Sequence, residues 1–486
     1  MNSRMIFYIL GHVLRVEGIL MLLPGICGLI YHESEAFIFF LIAVLSILFG
    51  YLTTWKIPSN KTIYLKEGCV ATGLSWILMS VVGALPFYLT RDIPSYIDAL
   101  FETISGFTTT GASILTNVEA LSHCALFWRS FTHWIGGMGV LVFLLAVLPL
   151  TGGSNINLMR AESPGPSVGK LVPKIRTTAM WLYGIYFGLT ILEMIILLIS
   201  HMPAFDAIMI SVGTAGTGGF GVRNSSCTDY TMAQQWIITV FMILFGVNFN
   251  SYYFILLKKA KKAIRIDEIR VYFAIIFISA ITITFQILPS VKKLSTALCQ
   301  AFFQVGSIIT TTGFATADFD QWNNLCKTIL VTLMFCGACS GSTGGGIKVS
   351  RILILFKSVK KELHSYLHPR SIRKINMDGK SLDDDTVRST NVYFTTFFTL
   401  FTISLFLVSI EGKDLITNFT AVAATINNIG PGLNAVGPTQ NFASFSTLSK
   451  LVLMIDMLAG RLELFPILLL FAPSVWGSIL TRKKHV

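Results

Sequence analysis

The stretch FETISGFTTTG, residues 101–111, contains the pattern that decides the fold. A short apolar segment leads directly into a turn of three threonines and a glycine, Thr108 to Gly111. Long apolar segments stand on both sides of it, at about 69–90 and 127–150. Each flanking segment has the ~20 mostly apolar residues that a membrane-spanning helix needs. The pattern predicts a half-length helix that ends in a turn inside the membrane, between two spanning helices.

The same pattern occurs three more times. The turns, each with its two flanking spans, are 214–220 between about 178–201 and 233–257, 310–314 between about 270–289 and 324–356, and 427–432 between about 391–410 and 447–475. Two further apolar segments, at about 8–31 and 35–55, precede the repeats. We therefore predict an all-α polytopic membrane protein of about ten spans, with four pseudo-fourfold helix–pore-loop–helix units around one central pore. The predicted boundaries are 1–66 for the two N-terminal helices and 67–160, 161–262, 263–385 and 386–486 for the four pore units.

The composition fits a membrane protein. Hydrophobic residues make up 53% of the chain and charged residues only 13%, with a mean hydropathy of +0.68. Soluble domains are about one quarter charged. The eight cysteines show no paired disulfide spacing, and Cys336-x-x-Cys339 has no further donors nearby for a zinc site. The first apolar segment has no cleavage site after it, so we interpret it as a retained span.

The net charge of +12 is distributed as in a membrane protein rather than a nucleic-acid-binding one. Five inter-span or terminal segments hold 25 of the 37 lysines and arginines: 56–68, 151–178, 258–270, 351–390 and 481–486. The positive-inside rule places these segments and both termini in the cytoplasm and the four turns outside. The outer segments carry acids that are either a cation-concentrating mouth or ordinary solvated charges: Asp92, Asp98, Glu102, Glu119, Asp206, Asp229, Asp318, Asp320, Glu411 and Asp414.

Four half-helices that end in glycine-rich turns indicate one shared cavity, because exposed backbone groups are not tolerated against lipid. Rings of backbone carbonyls can replace the hydration shell of an alkali cation. Glycine allows the unusual φ that such a turn needs, and Gly111, Gly218, Gly313 and Gly430 are predicted to occupy one equivalent position. The predicted alkali-cation filter comprises Thr109, Thr110, Gly111, Gly216, Thr217, Gly218, Thr311, Thr312, Gly313, Asn428, Ile429 and Gly430.

The second helix of the third unit is predicted to be broken at 339–346. Four of these eight residues are glycines, and each glycine costs a helix ~1 kcal/mol relative to alanine. Two interpretations stay open: a flexible gate beneath the filter, or close helix packing through small residues. The glycines that the gate interpretation assigns are Gly341, Gly344, Gly345 and Gly346.

Several motifs, in this order, give the chain a resemblance to a known family. They are residues 101–111, Trp134–Gly139, Ser340–Lys348, Asn427–Gly432 and Gly460–Glu463. With them the chain resembles the Trk/Ktr/HKT superfamily of potassium transporters over almost its whole length, and most closely the bacterial TrkH/TrkG branch.

The resemblance implies inward K⁺ transport in a bacterial inner membrane, a homodimer with one pore per subunit, and a cytoplasmic nucleotide-binding regulatory subunit of the TrkA kind. It implies no organic cofactor on this chain and no nucleic-acid partner. In related plant transporters a serine in the first turn accompanies Na⁺ preference, and Gly111 stands at that place here. Asn428 and Ile429 make the fourth turn unlike the others.

Two basic residues are further gate candidates. Arg461 lies in an apolar span, where a charge must face the bundle interior or water. The resemblance implies that it projects into the pore below the filter; the alternative is an ion pair with Glu463 or Asp456. Lys348 either belongs to the gate or extends to the cytoplasmic surface.

Other functions are less consistent with the sequence. The segment Gly341–Lys348 fails as a nucleotide-binding loop, because Ile347 stands where the lysine is required. We therefore predict that the chain is not an enzyme. A weakly selective or Na⁺/H⁺-coupled cation transporter remains the alternative, in which the lone acid Glu193 either takes part in proton coupling or is simply buried. The basic stretch 357–390 is either a docking site or a linker.

Overall fold

The computed structural model describes residues 1–60, 62–139, 175–371 and 373–480, and these are mainly helical. The end of the predicted helix 127–150, most of the basic segment 151–178 and the C-terminal 481–486 lie outside the described residues. The helices are α1 (Ser3–Ile30), α2 (Ala36–Thr54), α3 (Leu65–Gly83), α4 (Leu85–Leu89), α5 (Tyr96–Phe107), α6 (His123–Met138), α7 (Ile175–Ile199), α8 (Ala204–Gly216), α9 (Met232–Phe245), α10 (Phe249–Leu256), α11 (Ala260–Ile264), α12 (Asp267–Val291), α13 (Leu294–Ile309), α14 (Asn324–Cys336), α15 (Val349–Leu367), α16 (Asp384–Ser409), α17 (Leu415–Ile426), α18 (Thr447–Arg461), α19 (Phe465–Leu470) and α20 (Pro473–Leu480). A two-stranded antiparallel hairpin joins β1 (Asn376–Met377) to β2 (Lys380–Ser381).

The helices follow one another in four similar groups. Each group has a long helix (α3, α7, α12, α16), a short helix (α5, α8, α13, α17), a turn and a further helix (α6, α9, α14, α18). The last helix always begins at a side chain that accepts a hydrogen bond from a backbone N–H of the first turn. These N-caps are Ser122, Thr231, Asn323 and Ser446. The sequence thus marks the same boundary in every repeat.

Six helices in the described part of the chain are long and apolar enough to cross a membrane alone. They are α1, α2, α3 with its continuation α4, α7, α12 and α16, which are the two N-terminal helices and the first helix of each repeat. The predicted continuous helices at 233–257 and 447–475 are wrong in detail, because both are interrupted. The α9–α10 pair bends by 92°, and α18 ends at Arg461.

Local chemistry explains these interruptions. Asn248 accepts a hydrogen bond from the N–H of Asn250 and so starts α10 anew after Phe245. Glu463 and Leu464 take φ values of 60° and 67°, which a helix does not allow. The α9–α10 break begins within an apolar run, Phe245-Gly246-Val247, whereas the second break follows Arg461 and contains Glu463. The break predicted at 339–346 is confirmed, and the non-helical segment covers residues 337–348.

The N-terminal helices α1 and α2 form a hairpin that packs through glycines. A Cβ atom placed on Gly50 would approach the carbonyl oxygen of Gly11 and the side chain of Arg15. A Cβ atom on Gly18 would lie 2.7 Å from the carbonyl oxygen of Ala43. Small residues at such crossings let two helices in lipid approach closely.

We expect Gly50→Leu to destabilise the protein by about 1–3 kcal/mol, because the larger side chain overpacks the α1–α2 crossing. Gly184→Leu is the matched control, since a Cβ atom on this helical glycine would have nothing within 4 Å. Thermal unfolding in detergent measures both. Equal unfolding midpoints for the two variants would contradict this packing.

Candidate ion pathway

The four turns share one backbone conformation. Thr109, Thr217, Thr311 and Asn428 have positive φ values of 56°, 53°, 59° and 55°. Two residues later in each turn a glycine takes φ values of 77° (Gly111), 77° (Gly219), 87° (Gly313) and 96° (Gly430). These angles favour glycine over other residues. The four turns are therefore structural copies of one another.

The register of the second turn corrects one sequence-based alignment. The backbone makes Gly219, and not Gly218, the counterpart of Gly111. The hydrogen bonds agree, because the N–H of Gly218 bonds the carbonyl of Gly213 just as the N–H of Thr110 bonds that of Ser105. Three glycines among residues 216–219 leave few side chains from which to align this turn. The signal that remained was Thr217, which matches Thr109.

The turns also close into a ring. A Cβ atom on Gly111 would collide with the carbonyl oxygen of Gly218, and one on Gly219 with that of Thr312. In the same way Gly313 faces the carbonyl of Ile429, and Gly430 faces that of Thr110. Each glycine therefore abuts the residue that precedes the glycine of the next repeat, in the order one, two, three, four and back to one.

All four ring glycines line one cavity, together with residues that follow the turns in the chain. Arg129 and Arg223 also line this cavity, whereas none of the ten outer acids belongs to its described lining. Several of these acids are paired instead, for example Asp98 with Lys450 at 2.6 Å and Asp206 with Arg223 at 2.9 Å. The structure therefore favours ordinary paired and solvated charges over an acidic mouth at the ring.

A buried ion pair supports the ring from behind. Glu102 accepts a hydrogen bond from Arg129 Nε at 2.6 Å and one from the backbone N–H of Ile114 at 3.0 Å. The guanidinium also donates to the carbonyl of Gly221 at 2.9 Å and lies over the ring of Phe220. The pair thus joins the first repeat to the second, and Glu102 is unavailable as an outer acid.

His133 makes a second connection between the same repeats. Its Nδ1 lies 2.8 Å from the carbonyl oxygen of Gly106, and its Nε2 accepts a hydrogen bond from the N–H of Phe220 at 3.3 Å. Sequence reasoning missed His133 and Arg129. The sequence feature that could have identified them is a pair of polar side chains at 129 and 133, one helical turn apart within an apolar helix.

The segment 337–348, named the gate loop below, lies directly beneath the ring. The N–H of Gly345 donates to the hydroxyl of Thr311 at 2.6 Å. A Cβ atom on Gly345 would lie 2.7 Å from the carbonyl oxygen of Asn427, and one on Gly344 would lie 2.9 Å from that of Thr310. The gate loop therefore contacts the third and fourth turns, and most of it is buried.

The gate loop is hydrogen-bonded to the α9–α10 break. The N–H of Cys339 donates to the carbonyl of Gly246 at 3.0 Å, and the N–H of Phe249 donates to the carbonyl of Gly341 at 3.0 Å. Backbone groups freed by two interrupted helices thus satisfy one another, as a low-dielectric environment demands.

Arg461 and Lys348 both bond to backbone carbonyls around the gate loop. The Arg461 guanidinium donates to Thr343 at 2.7 Å and to Gly136 and Gly137 at the end of α6. Lys348 is 1% exposed and turns back onto Gly344 and Gly345. The position of Lys348 excludes the predicted extension to the surface.

The acids suggested as ion-pair partners of Arg461 have other partners. Glu463 forms an ion pair with Arg351, and Asp456 accepts a hydrogen bond from the Ser404 hydroxyl at 2.6 Å. Glu193 is fully buried in α7. The described residues contain no group of three His, Cys, Asp or Glu side chains suited to a metal ion. The ring itself offers oxygens only, which suit a hard alkali cation.

Known proteins resemble the whole chain. The sequence profile of the TrkH family, described as a cation transport protein, matches residues 35–478. The Trk system potassium uptake protein TrkH of Salmonella typhimurium is 35% identical over 485 residues, 98% of this chain and 100% of the relative. The Trk system potassium uptake protein TrkG of Escherichia coli K12 is 34% identical over 487 residues, 98% of this chain and 99% of the relative. The chain belongs to the TrkH family.

The fold of this TrkH-family protein also matches a solved structure. The crystal structure of the potassium transporter TrkH from Vibrio parahaemolyticus has a TM-score of 0.88 and 32% sequence identity, and the match covers 98% of this chain and 100% of that one. The match confirms the predicted all-α polytopic fold class. Membership of the family confirms a multi-pass membrane cation transporter rather than an enzyme.

We expect Arg129→Met to destabilise this TrkH-family protein by about 3–5 kcal/mol, because it leaves Glu102 charged, buried and unpaired. The double variant Arg129→Met/Glu102→Gln should lose less than the single one. Arg223→Met is the control, since the Arg223 and Asp206 side chains are 34% and 14% exposed, against 3% and 0% for Arg129 and Glu102. Unfolding midpoints measure all three, and equal losses for Arg129→Met and Arg223→Met would refute a special role for burial.

Proposed function

We propose that this protein takes up K⁺ across the bacterial cytoplasmic membrane through a filter formed by the four turns. The closed ring of glycines and carbonyls is the observation that carries this proposal. The names of the relatives, Trk system potassium uptake proteins, and of the similar crystal structure, a potassium transporter, support K⁺ as the cargo.

In this filter, backbone carbonyls replace the water around the ion. The four carbonyls next to the ring glycines belong to Thr110, Gly218, Thr312 and Ile429, and their packing against the next repeat holds them in fixed positions. The short helices end at the same level, so their negative ends favour a cation there. The other filter residues are Thr109, Gly111, Gly216, Thr217, Gly219, Thr311, Gly313, Asn428 and Gly430.

The gate loop and Arg461 regulate passage below the filter. The gate loop lies against the third and fourth turns, so an ion that leaves the ring has to pass it. The charge of Arg461 opposes a cation at the same depth, and in a poorly screened interior this repulsion is strong. Gly341, Gly344, Gly345 and Gly346 give the loop freedom to move, and Lys348 holds it through the Gly344 and Gly345 carbonyls.

The proposal extends to the orientation and the assembly of the protein, which are supported by the distribution of charge and by the family resemblance. The basic segments and both termini face the cytoplasm, and the four pore units at 67–160, 161–262, 263–385 and 386–486 enclose one pore per subunit of a homodimer. A cytoplasmic nucleotide-binding subunit of the TrkA kind controls the gate.

A weakly selective or Na⁺/H⁺-coupled cation transporter is the second candidate. It is favoured by the asymmetry of the fourth turn, where Asn428 and Ile429 replace the threonine or glycine of the other repeats. Competition between cations decides between the two candidates.

We expect purified protein in liposomes to take up ⁸⁶Rb⁺, with K⁺ but not Na⁺ competing, and Gly111→Ser to lose this preference. A serine side chain at this position would strain the positive φ and displace the Gly218 carbonyl. Gly412→Ser is the matched control, because Gly412 has a similar φ of 79° but nothing within 4 Å of its Cβ position. Equal competition by Na⁺ and K⁺ in the unmodified protein would favour the second candidate.

Arg461→Ala should raise ⁸⁶Rb⁺ uptake in the absence of any partner about tenfold, because it removes a positive charge and three hydrogen bonds beneath the ring. Arg461→Lys should stay near the unmodified rate, since it keeps the charge. The same flux assay measures both. An unchanged rate for Arg461→Ala, in protein that elutes as a single species, would contradict the barrier.

A further inference from the structure

The two ends of the gate loop meet at one place. The N–H of Val349 donates to the carbonyl of Ala338 at 3.2 Å, and the hydroxyls of Ser340 and Ser350 bond each other. The two ends of the gate loop therefore lie side by side below the ring. A group that binds at this point therefore contacts both ends of the loop.

Glu268 binds this point. It lies at the start of α12 and is 3% exposed. Its Oε1 accepts a hydrogen bond from the N–H of Ser340 at 2.6 Å and another from the N–H of Ser350 at 3.1 Å. Hydrogen bonds to a carboxylate are stronger than those between neutral groups. One oxygen atom thus holds both ends of the gate loop.

This contact is not the usual helix cap. Glu268 lies in the first turn of α12, but its donors lie 72 and 82 residues further along the chain. Its neighbour Asp267 contacts other segments, by accepting a hydrogen bond from Lys357 of α15 at 2.9 Å and one from the N–H of Asp378 in the β-hairpin. The two adjacent acids therefore bind different segments of the chain.

We propose that Glu268 is a positioning residue that holds the gate loop in place beneath the filter. The proposal rests on the proposed function, because it concerns the balance between closed and open states of the same pore. Loss of the carboxylate frees Ser340 and Ser350 together, so the closed arrangement loses two hydrogen bonds while the filter keeps all of its own. A ligand that favours one of two states shifts their populations in the same way.

The position of Glu268 makes this contact accessible to regulation. Glu268, Ser340 and Ser350 line a cavity together with Lys261 and Arg265 of the exposed basic segment 259–265. The cavity therefore connects the exposed basic segment with the residues that hold the gate loop.

Flux measurements on the purified chain in liposomes test the proposal. We expect Glu268→Ala to raise partner-free ⁸⁶Rb⁺ uptake about tenfold, with the K⁺-over-Na⁺ competition unchanged. Glu268→Gln should give a smaller rise, because its amide oxygen still accepts hydrogen bonds. A purely structural role would instead lower uptake or alter the competition.

Glu33→Ala is the matched control. Glu33, between α1 and α2, also accepts hydrogen bonds from two backbone N–H groups, those of His123 at 2.6 Å and Cys124 at 3.0 Å, and neither donor belongs to the gate loop. Its loss should leave uptake near the unmodified rate. An equal rise for Glu33→Ala would overturn a specific role of Glu268.

Arg461→Ala separates the two proposals. Increased uptake with Arg461→Ala but not with Glu268→Ala overturns the role of Glu268 and leaves the proposed pore intact. No uptake in any variant overturns the proposed function and this inference together. If Glu268→Ala fails to elute as a single species, Glu268→Gln decides, and a rate at or below the unmodified one then overturns the proposal.

Discussion

An irregular backbone segment inside the membrane has to find hydrogen-bond partners within the protein, because water cannot supply them there. The structure meets this constraint by placing its interruptions against one another. The gate loop, itself a break between α14 and α15, bonds the carbonyl of Gly246 at the α9–α10 break. The threonines at the ends of the short helices also turn back on their own helices, as Thr108 does onto Ile104 at 2.6 Å and Thr310 onto Gly306 at 2.7 Å. These contacts satisfy backbone groups at the ends of the short helices and at the interrupted helices next to the ring.

Buried charges follow the same rule. Arg129 is neutralised by Glu102, and Arg351 by Glu463. The Arg461 guanidinium, in contrast, bonds the carbonyls of Thr343, Gly136 and Gly137, so backbone from two different repeats surrounds it. Arg461 thus links the gate loop to the end of α6.

Much of this architecture could be predicted from the sequence, because it depends on composition and on a repeated pattern. The four turns, the half-helices before them and the break near Gly341 follow from apolar length and glycine content. The α9–α10 bend does not, since Gly246 and Val247 continue an apolar run and only Asn248 marks a new start. The Gly218–Gly219 register failed for a related reason: consecutive glycines carry no side chain that shows which one has the positive φ. Long-range pairs such as Glu268 with Ser340 depend on tertiary packing and leave no trace in the local sequence.

The asymmetry of the ring follows from the placement of the gate loop. In the third turn the Thr311 hydroxyl accepts a hydrogen bond from the loop at Gly345. At the equivalent place in the fourth turn, Asn428 donates to the carbonyl of Met457 in α18 at 2.8 Å and to the Thr110 hydroxyl of the first turn at 3.0 Å. The longer side chain thus ties the last repeat to the first, where the ring is not continuous in sequence. Four identical chains could not place a loop under only two turns and a cross-link between only one pair of turns. A single chain can, because each repeat is free to change the residue at its own contact.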